Sequence, residues 1–499
     1  MFNPRSVFLL ISLLLVMLLV FDWGNVSKEQ KVEVSKSVQE KTDSELFKIS
    51  NESLEIFVDL EDGGIKEAFL KEKKINNGLE KVRLLSNDEF LRFYFKSTIS
   101  GFSPTGFSVL NSSDDYLTIQ GMDGVGNILT KKITFSDKYN LLIEDRLDLS
   151  TSTIGVINSF KTFYRDEKKS VDYGTSFSRD HLAFSTSEDV FNDESLRSVD
   201  SREDYMGHWV GHSQKHFVVA VYDDENQQKI SLYPKDINGM YRFGISEPMN
   251  FEGSSYISET RLYLGPKQKD VLEVVAPHFK YNLDLGFVYG IGEFFIVVLN
   301  FLYGLVNNWG VSIILLTVLF KVVLSPLQIM QLNSMVKMRK LSPKLQELQE
   351  RYKNDRNKLS MEMMQLYKRE KFNPAAGCLP LFAQFPIFIA MFWVTREAFE
   401  FRGESFLWIP DLAESDPYLI APVLMGLMMF ASQKLMPKPP QSQGMQAQIA
   451  QQMMVVFPPM ITIVFLFMPA GVVVYSVVNM LLSIIPQVLI MSRAQSESG

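Results

Sequence analysis

Five apolar stretches occupy the C-terminal part of the chain, at 309–328, 376–395, 418–434, 453–469 and 470–491. Each is near the roughly 20 residues that cross hydrocarbon as a helix, although the third and fourth are short. Hydrocarbon offers backbone N–H and C=O groups no partner, so such segments fold as helices or not at all. The segments between them carry opposite charge. Residues 329–375 hold Lys337, Arg339, Lys340 and Lys344 among a clear excess of cations, and 435–452 has Lys438 and no acid. Residues 396–417 are acidic, with Glu397, Glu400, Glu404, Asp411, Glu414 and Asp416 against Arg396 and Arg402. Cytoplasmic loops carry the Lys/Arg excess, which places the first two segments inside and the third outside.

The N-terminal part reads differently. Arg5 precedes an apolar run from Val7 to Phe21, and Asp22-Trp23 follows where a small-x-small cleavage site would stand. Residues 1–22 therefore read as an uncleaved transmembrane anchor with its N-terminus in the cytoplasm; the alternative is a cleaved signal peptide. Residues 23–46 are polar and charged, and read as a flexible tether. From 47 to 285 short alternating runs such as Leu91-Arg92-Phe93-Tyr94-Phe95 are separated by breaks such as Asp62-Gly63-Gly64 and Gly124-Val125-Gly126-Asn127. Period-two runs with such turns predict a large all-β sandwich domain. It lies outside the membrane, because the anchor sends it there.

One crossing, at 309–328, must then bring the chain back to a cytoplasmic basic segment. A second crossing by the apolar residues 286–308 would put that segment outside, and Asn307-Asn308 would have to make the whole turn. Residues 286–308 are therefore expected to form an interfacial amphipathic helix, with Glu293 and Asn300 on its wet face. The predicted fold is a membrane α-helical protein of six spans, both termini cytoplasmic, with the β domain between the first two. Residues 329–375 have helical spacing on both sides of a polar break at 353–357, which predicts an αα hairpin. The tail is 492–499.

Composition narrows the function. The 499 residues carry a formal net charge of −7, so no chain-wide basic excess exists for direct nucleic-acid recognition. The single cysteine, Cys378, excludes an intramolecular disulfide and a cysteine-rich metal site. His208, His212 and His216 would stack on one helix face, but the residues after them read as a strand, where i and i+4 are roughly 13 Å apart. No G-x-S-x-G, Walker loop or H-E-x-x-H occurs. No cofactor, metal or catalytic residue is assigned, and the chain is not expected to be an enzyme.

The informative residue is Lys321. It lies twelve positions past Trp309, roughly 18 Å along a helix. A lysine at that depth costs roughly 2.5–3.5 kcal/mol on insertion scales. No acid in another span stands ready to neutralise it. Either it snorkels to the cytoplasmic edge, or it faces a water-filled cavity among the helices. Thr317 shares its face, and Gln384, Gln433, Asn479 and Ser483 are further polar groups in the spans. The basic hairpin, with Lys337, Arg339, Lys340 and Lys344, is a candidate docking surface for anionic lipid or a ribosome.

The stretches NWGVSIILLTVLFKVVLSPL, MVKMRKLSPKLQELQERY, NPAAGCLPLFAQFPIF, LWIPDLAESDPYLIAPVLMG and MPAGVVVYSVVN, and more loosely DLEDGGIKEAFL and HWVGHSQKHFVVAVY, resemble the YidC/Oxa/Alb family of membrane protein insertases, in its bacterial inner-membrane form with a large periplasmic domain. The resemblance covers nearly the whole chain. It implies a five-helix core with a cationic groove, open to cytoplasm and lipid and closed outside, and a periplasmic β-supersandwich akin to sugar-binding folds. The groove cation is usually arginine; here Lys321 keeps the charge without the planar fork. By motif position, Thr317 and Tyr475 would line the groove with Gln384, and Phe388 and Met425 would form the apolar contact surface for an incoming helix. The implied partners are nascent membrane proteins, the Sec translocon and membrane lipid. The family's basic tail has no counterpart in 492–499, which leaves the hairpin as the candidate ribosome contact.

The expected mechanism follows. A client's short polar, often acidic, tail enters the wet groove and is attracted by Lys321, while its apolar segment slides into lipid. The competing readings are a secondary transporter or channel, which would want repeats and several charged relays, and a membrane-anchored carbohydrate-binding or carbohydrate-modifying ectodomain.

Overall fold

The computed structural model describes residues 46–73, 79–88, 91–150, 155–166, 181–252, 254–352, 355–373, 379–435 and 456–496. The anchor at 1–22, the tether to residue 45 and most of the segment 435–452 lie outside the described residues. The chain divides between Leu283 and Asp284 into two compact units.

The first unit is a stack of two antiparallel sheets, of nine and ten strands among the described residues. The centre of the first is Arg92–Ile99, paired with Asn158–Asp166, which in turn pairs with Met240–Pro248. Arg92–Ile99 shows why the alternation is there. Phe93, Phe95, Ser97 and Ile99 are buried, and the residues between them are half-buried on the other face. The second sheet is centred on Ser255–Pro266, between Phe217–Tyr222 and Asn140–Asp148. The Asp62-Gly63-Gly64 break is a turn in which Asp62 Oδ1 accepts from the Gly64 N–H at 3.0 Å and Gly63 takes φ +68°. After the last strand the chain folds back over the sandwich, where the buried Trp209 indole donates to Pro277 O at 3.1 Å and meets Phe279 edge to face.

One charge pair buried in this core forms a closed circuit. Lys131 and Asp145 are 1% and 0% exposed and pair at 2.7 Å. Ser97 Oγ donates to Asp145 Oδ2 at 2.7 Å and accepts from Lys131 Nζ. Such a pair adds little net stability, yet removing one member strands a charge without solvent.

The second unit is helical. We label its helices α1 (Tyr289–Val306), α2 (Trp309–Arg351), α3 (Arg356–Arg369), α4 (Leu379–Glu397), α5 (Ile420–Leu435), α6 (Val456–Phe465) and α7 (Ala470–Ser496). Among the described residues, Gly286–Val306, Trp309–Arg351 and Ala470–Ile490 are long and apolar enough to cross a membrane; Ile420–Lys434 and Val456–Phe465 are shorter apolar helices. α2 continues for 43 residues, roughly 65 Å, through Pro326 and Pro343, so no helix break marks where the apolar part gives way to the basic part. Its basic end folds against α3 around Leu341, Leu345, Leu366 and Phe372, the two apolar stripes expected of a hairpin.

Asn307 and Asn308 do make the whole turn between α1 and α2. Asn307 takes φ 50° and its N–H donates to Tyr303 O at 2.7 Å; Asn308 caps α2 by accepting from the Val311 N–H at 2.9 Å. Two residues suffice because asparagine tolerates the left-handed region and its amide replaces a missing helical partner. α1 then lies beside α2, with Phe295 4.9 Å from Phe320. Its opposite stripe, Ile291, Phe294, Val297, Phe301 and Leu305, is apolar and exposed.

Asp145→Ala is expected to destabilise the β unit by roughly 3–5 kcal/mol, whereas the double change Lys131→Met with Asp145→Leu costs far less. Thermal unfolding followed by near-ultraviolet circular dichroism separates the two; equal losses would contradict the closed-circuit account.

Candidate functional site

Lys321 lies on α2 and does not face outward. It is half-buried, and its Nζ donates to Ser483 Oγ of α7 at 2.7 Å. Among the described residues no carboxylate forms an ion pair with it. Ser483 in turn donates to Asn479 O of its own helix at 2.8 Å. Thr317, one turn before Lys321, is 1% exposed, and its hydroxyl bonds back to Ile313 O at 2.7 Å.

α7 carries the other polar contacts as well. Tyr475, Asn479, Ser483 and Gln487 recur at every fourth residue. Tyr475 is buried, and the Gln384 amide of α4 donates to its hydroxyl. Further along, Ser432 of α5 donates to Gln487 Oε1 at 3.0 Å while Gln487 Nε2 donates to Ser432 O at 3.1 Å. One face of α7 therefore touches α4, α2 and α5 through polar groups in turn. Gln384, Tyr475, Lys321 and Thr317 all belong to the helices that meet here. Ser432 and Gln487 were missed in the sequence, where Gln433 looked equally suitable; only the helical phase set by packing separates Ser432 from its neighbour.

The apolar residues expected at the site lie apart from this seam. Phe388 of α4 is half-buried, with its ring 5.9 Å from that of Phe465 of α6. Met425 of α5 is buried, where Gly426 leaves room for Thr462. The outward apolar surface is made instead by Phe382 and Phe385 of α4 and Phe457 and Ile463 of α6. Lys337, Arg339, Lys340 and Lys344 are exposed on the basic end of α2, and Lys344 pairs with Glu370 at 2.8 Å.

The end of the bundle opposite the hairpin is closed by residues 398–419. Trp309 stacks on Tyr303 at 4.3 Å and packs on Phe401 at 5.0 Å. Phe406 lies directly over Gly310, where any side chain would collide. Buried Asp416 ties the segment together: Oδ2 accepts from Trp408 Nε1 at 3.1 Å and the Ala421 N–H at 2.8 Å, and Oδ1 accepts from the Tyr418 N–H at 3.0 Å. The N–H groups of Ala470 and Gly471, opening α7, donate to Glu414 O and Leu412 O at 2.6 and 2.8 Å. Burial, with Asp411 adding repulsion, pushes Glu404 above the ordinary glutamate range. Asp416 reads in the sequence only as one acid of an outer segment; a carboxylate two residues before Tyr418, just ahead of an apolar helix, is the signal for its capping role.

His208, His212 and His216 belong to the β unit. His212 sits in the strand Trp209–Ser213 with its ring 5.3 Å from Phe93, His208 Nδ1 lies 3.1 Å from Asp223 O, and His216 precedes the next strand. Among the described residues no group of three His, Cys, Asp or Glu side chains is placed to hold a metal ion.

Comparison with known proteins agrees with both units. A family model described as 60Kd inner membrane protein matches residues 301–497, and one described as YidC periplasmic domain matches 46–298. The membrane protein insertase YidC of Shewanella halifaxensis is 33% identical over 474 residues, covering 89% of this chain and 86% of that protein. Its namesake from Francisella tularensis subsp. tularensis is 35% identical over 473 residues, covering 89% and 83%. Among solved structures, an active YidC insertase with its first transmembrane domain resolved is similar over 97% of this chain and 99% of that one, at 20% identity and a TM-score of 0.38. At that score the assignment stands on the sequence matches.

Asp416→Asn keeps one acceptor oxygen and replaces the other by a donor. It is expected to cost roughly 1–3 kcal/mol, the worth of buried partners left unsatisfied. Limited proteolysis should then cut within 398–419 faster than in the parent, and unchanged protection would deny Asp416 its role.

Proposed function

The chain belongs to the YidC family of membrane protein insertases, and we propose that the polar seam between α2 and α7 is where it receives its clients. The family is a bacterial inner-membrane one whose substrates are nascent membrane proteins; insertion, not an enzymatic reaction, is its activity.

Our reading of the topology keeps six spans: residues 1–22, α2, α4, α5, α6 and α7, with both termini cytoplasmic. α1 qualifies for a crossing by length and composition, but the charges allow only one crossing between the β domain and the basic hairpin. α1 therefore lies at the outer interface, with its exposed apolar stripe toward lipid. The domain limits are those expected from the sequence: β domain to 285, interfacial helix 286–308, hairpin 329–375.

The observation that carries the mechanism is the Lys321 ammonium, held between two helices on a neutral hydroxyl. A client's acidic tail enters from the cytoplasmic side and is drawn by this charge. Thr317, Gln384 and Tyr475 are the neighbouring polar groups of the groove, and the tail crosses less hydrocarbon by following them. The apolar segment moves along α4 and α6 into lipid, past Phe388 and Met425 and over the outward phenylalanines, driven by burial of roughly 25 cal/mol per Å². Lys337, Arg339, Lys340 and Lys344 dock anionic lipid or the ribosome, and the Sec translocon is a partner on family grounds. A transporter would want charged relays in several spans, which this seam does not supply.

In vesicles carrying the purified protein, Lys321→Glu should lower insertion of a single-span client with an acidic tail by at least roughly tenfold, about 1.4 kcal/mol, while Lys321→Arg stays near the parent. Equal insertion by parent and Lys321→Glu ends the groove mechanism.

A further inference from the structure

We propose that Ser483 is a positioning residue for Lys321, holding the ammonium at the α2–α7 interface where a client carboxylate meets it. This inference rests on the groove reading above.

The hydroxyl of Ser483 is oriented by its own helix. Its O–H donates to Asn479 O at 2.8 Å, so its oxygen meets Lys321 as an acceptor. A serine used in this way presents lone pairs to one place and cannot turn its proton toward the ammonium. The result is a fixed, neutral, single-point receptor for a cation.

The contact differs from its neighbours on the same face of α7. Ser432 and Gln487 exchange two hydrogen bonds and close on each other. Among the described residues Lys321 makes one bond, to an uncharged partner, although an ammonium has three donors. The buried lysine of the β unit shows the alternative: Lys131 has a carboxylate at 2.7 Å as well as a serine. Lys321 has only the serine among the described residues. Its charge is held in position without being neutralised.

A carboxylate arriving in the groove offers a charge-assisted bond of about twice the strength of a neutral one. It takes another of the three ammonium protons while Ser483 Oγ keeps the first, and Ser483 keeps its bond to Asn479 O, so the positioned ammonium meets the carboxylate with nothing stranded. Because an ammonium is a point donor, it has no fork for bidentate capture. The client class that fits is a short tail presenting a single carboxylate to the seam.

The test uses the full chain in vesicles and two single-span clients that differ by one tail residue, Asp against Asn. The readout is the ratio of their insertion. In the parent, the Asp client is favoured. Ser483→Ala should lower that ratio by roughly three- to tenfold, the span of one net hydrogen bond, and Ser483→Thr should retain it. A ratio unchanged in Ser483→Ala, or both clients falling in equal proportion, overturns the assignment and leaves Ser483 with a packing role. If Lys321→Met also keeps the parental ratio, the groove reading itself fails, an outcome distinct from failure of the Ser483 assignment.

Discussion

An ammonium among apolar helices must keep a polar partner, and here one helix supplies it. At roughly 2.5–3.5 kcal/mol for a lysine near mid-membrane, the charge is too costly to leave against acyl chains. α7 meets this demand through spacing. Residues four apart advance by roughly 40° around a helix, so a row at every fourth position winds slowly about it. Tyr475, Ser483 and Gln487 can therefore serve α4, α2 and α5 in turn. The contacts that hold the helical unit together and the one that holds the cation are parts of one row.

The same kind of residue is treated in two ways in the two units. In the β unit Lys131 is enclosed with Asp145 and Ser97, and the circuit is complete. Nothing is left for a visitor to bind, and burial there serves the fold. Among the described residues Lys321 is given the serine and no carboxylate. A lysine retained for packing alone would gain from a built-in acid, and the chain has acids to spare in the adjacent outer segment. Leaving the charge uncompensated makes sense where the compensating group arrives with a substrate.

Much of the fold was legible because its signals are local. Period-two burial at Arg92–Ile99, the Asp-Gly-Gly turn after Asp59 and the paired stripes of the hairpin depend on residues a few positions apart. What escaped depends on distant partners. The pairing of Arg92–Ile99 with Asn158–Asp166 links segments some sixty residues apart, and Lys131 within ILTKKITF looks no different from its exposed neighbour Lys132 until the first sheet, with Ser97, faces it. At the candidate site the residue types were readable: Lys321 by its cost, and Ser483 and Asn479 as polar groups in an apolar run. Their partnership was not, because it needs the rotation of α7 about its axis. Pro326 lies inside α2, which passes it because tertiary packing outweighs a single missing hydrogen bond.

The polar row also has a direction. It begins at Tyr475, five residues into α7 and roughly 8 Å from the end that residues 398–419 close. That closure is aromatic and tightly fitted: Trp309, Phe401 and Phe406 fill it, and Asp416 spends its oxygens on the segment's own N–H groups. Away from it the row runs on through Ser483 to Gln487, toward the end of α2 that bears the basic hairpin. On the proposed groove reading, a polar path sealed at one end and lined toward the other admits a tail from one side only. On the proposed topology the open side faces the cytoplasm, where nascent chains are made, and the sealed side preserves the barrier while they enter.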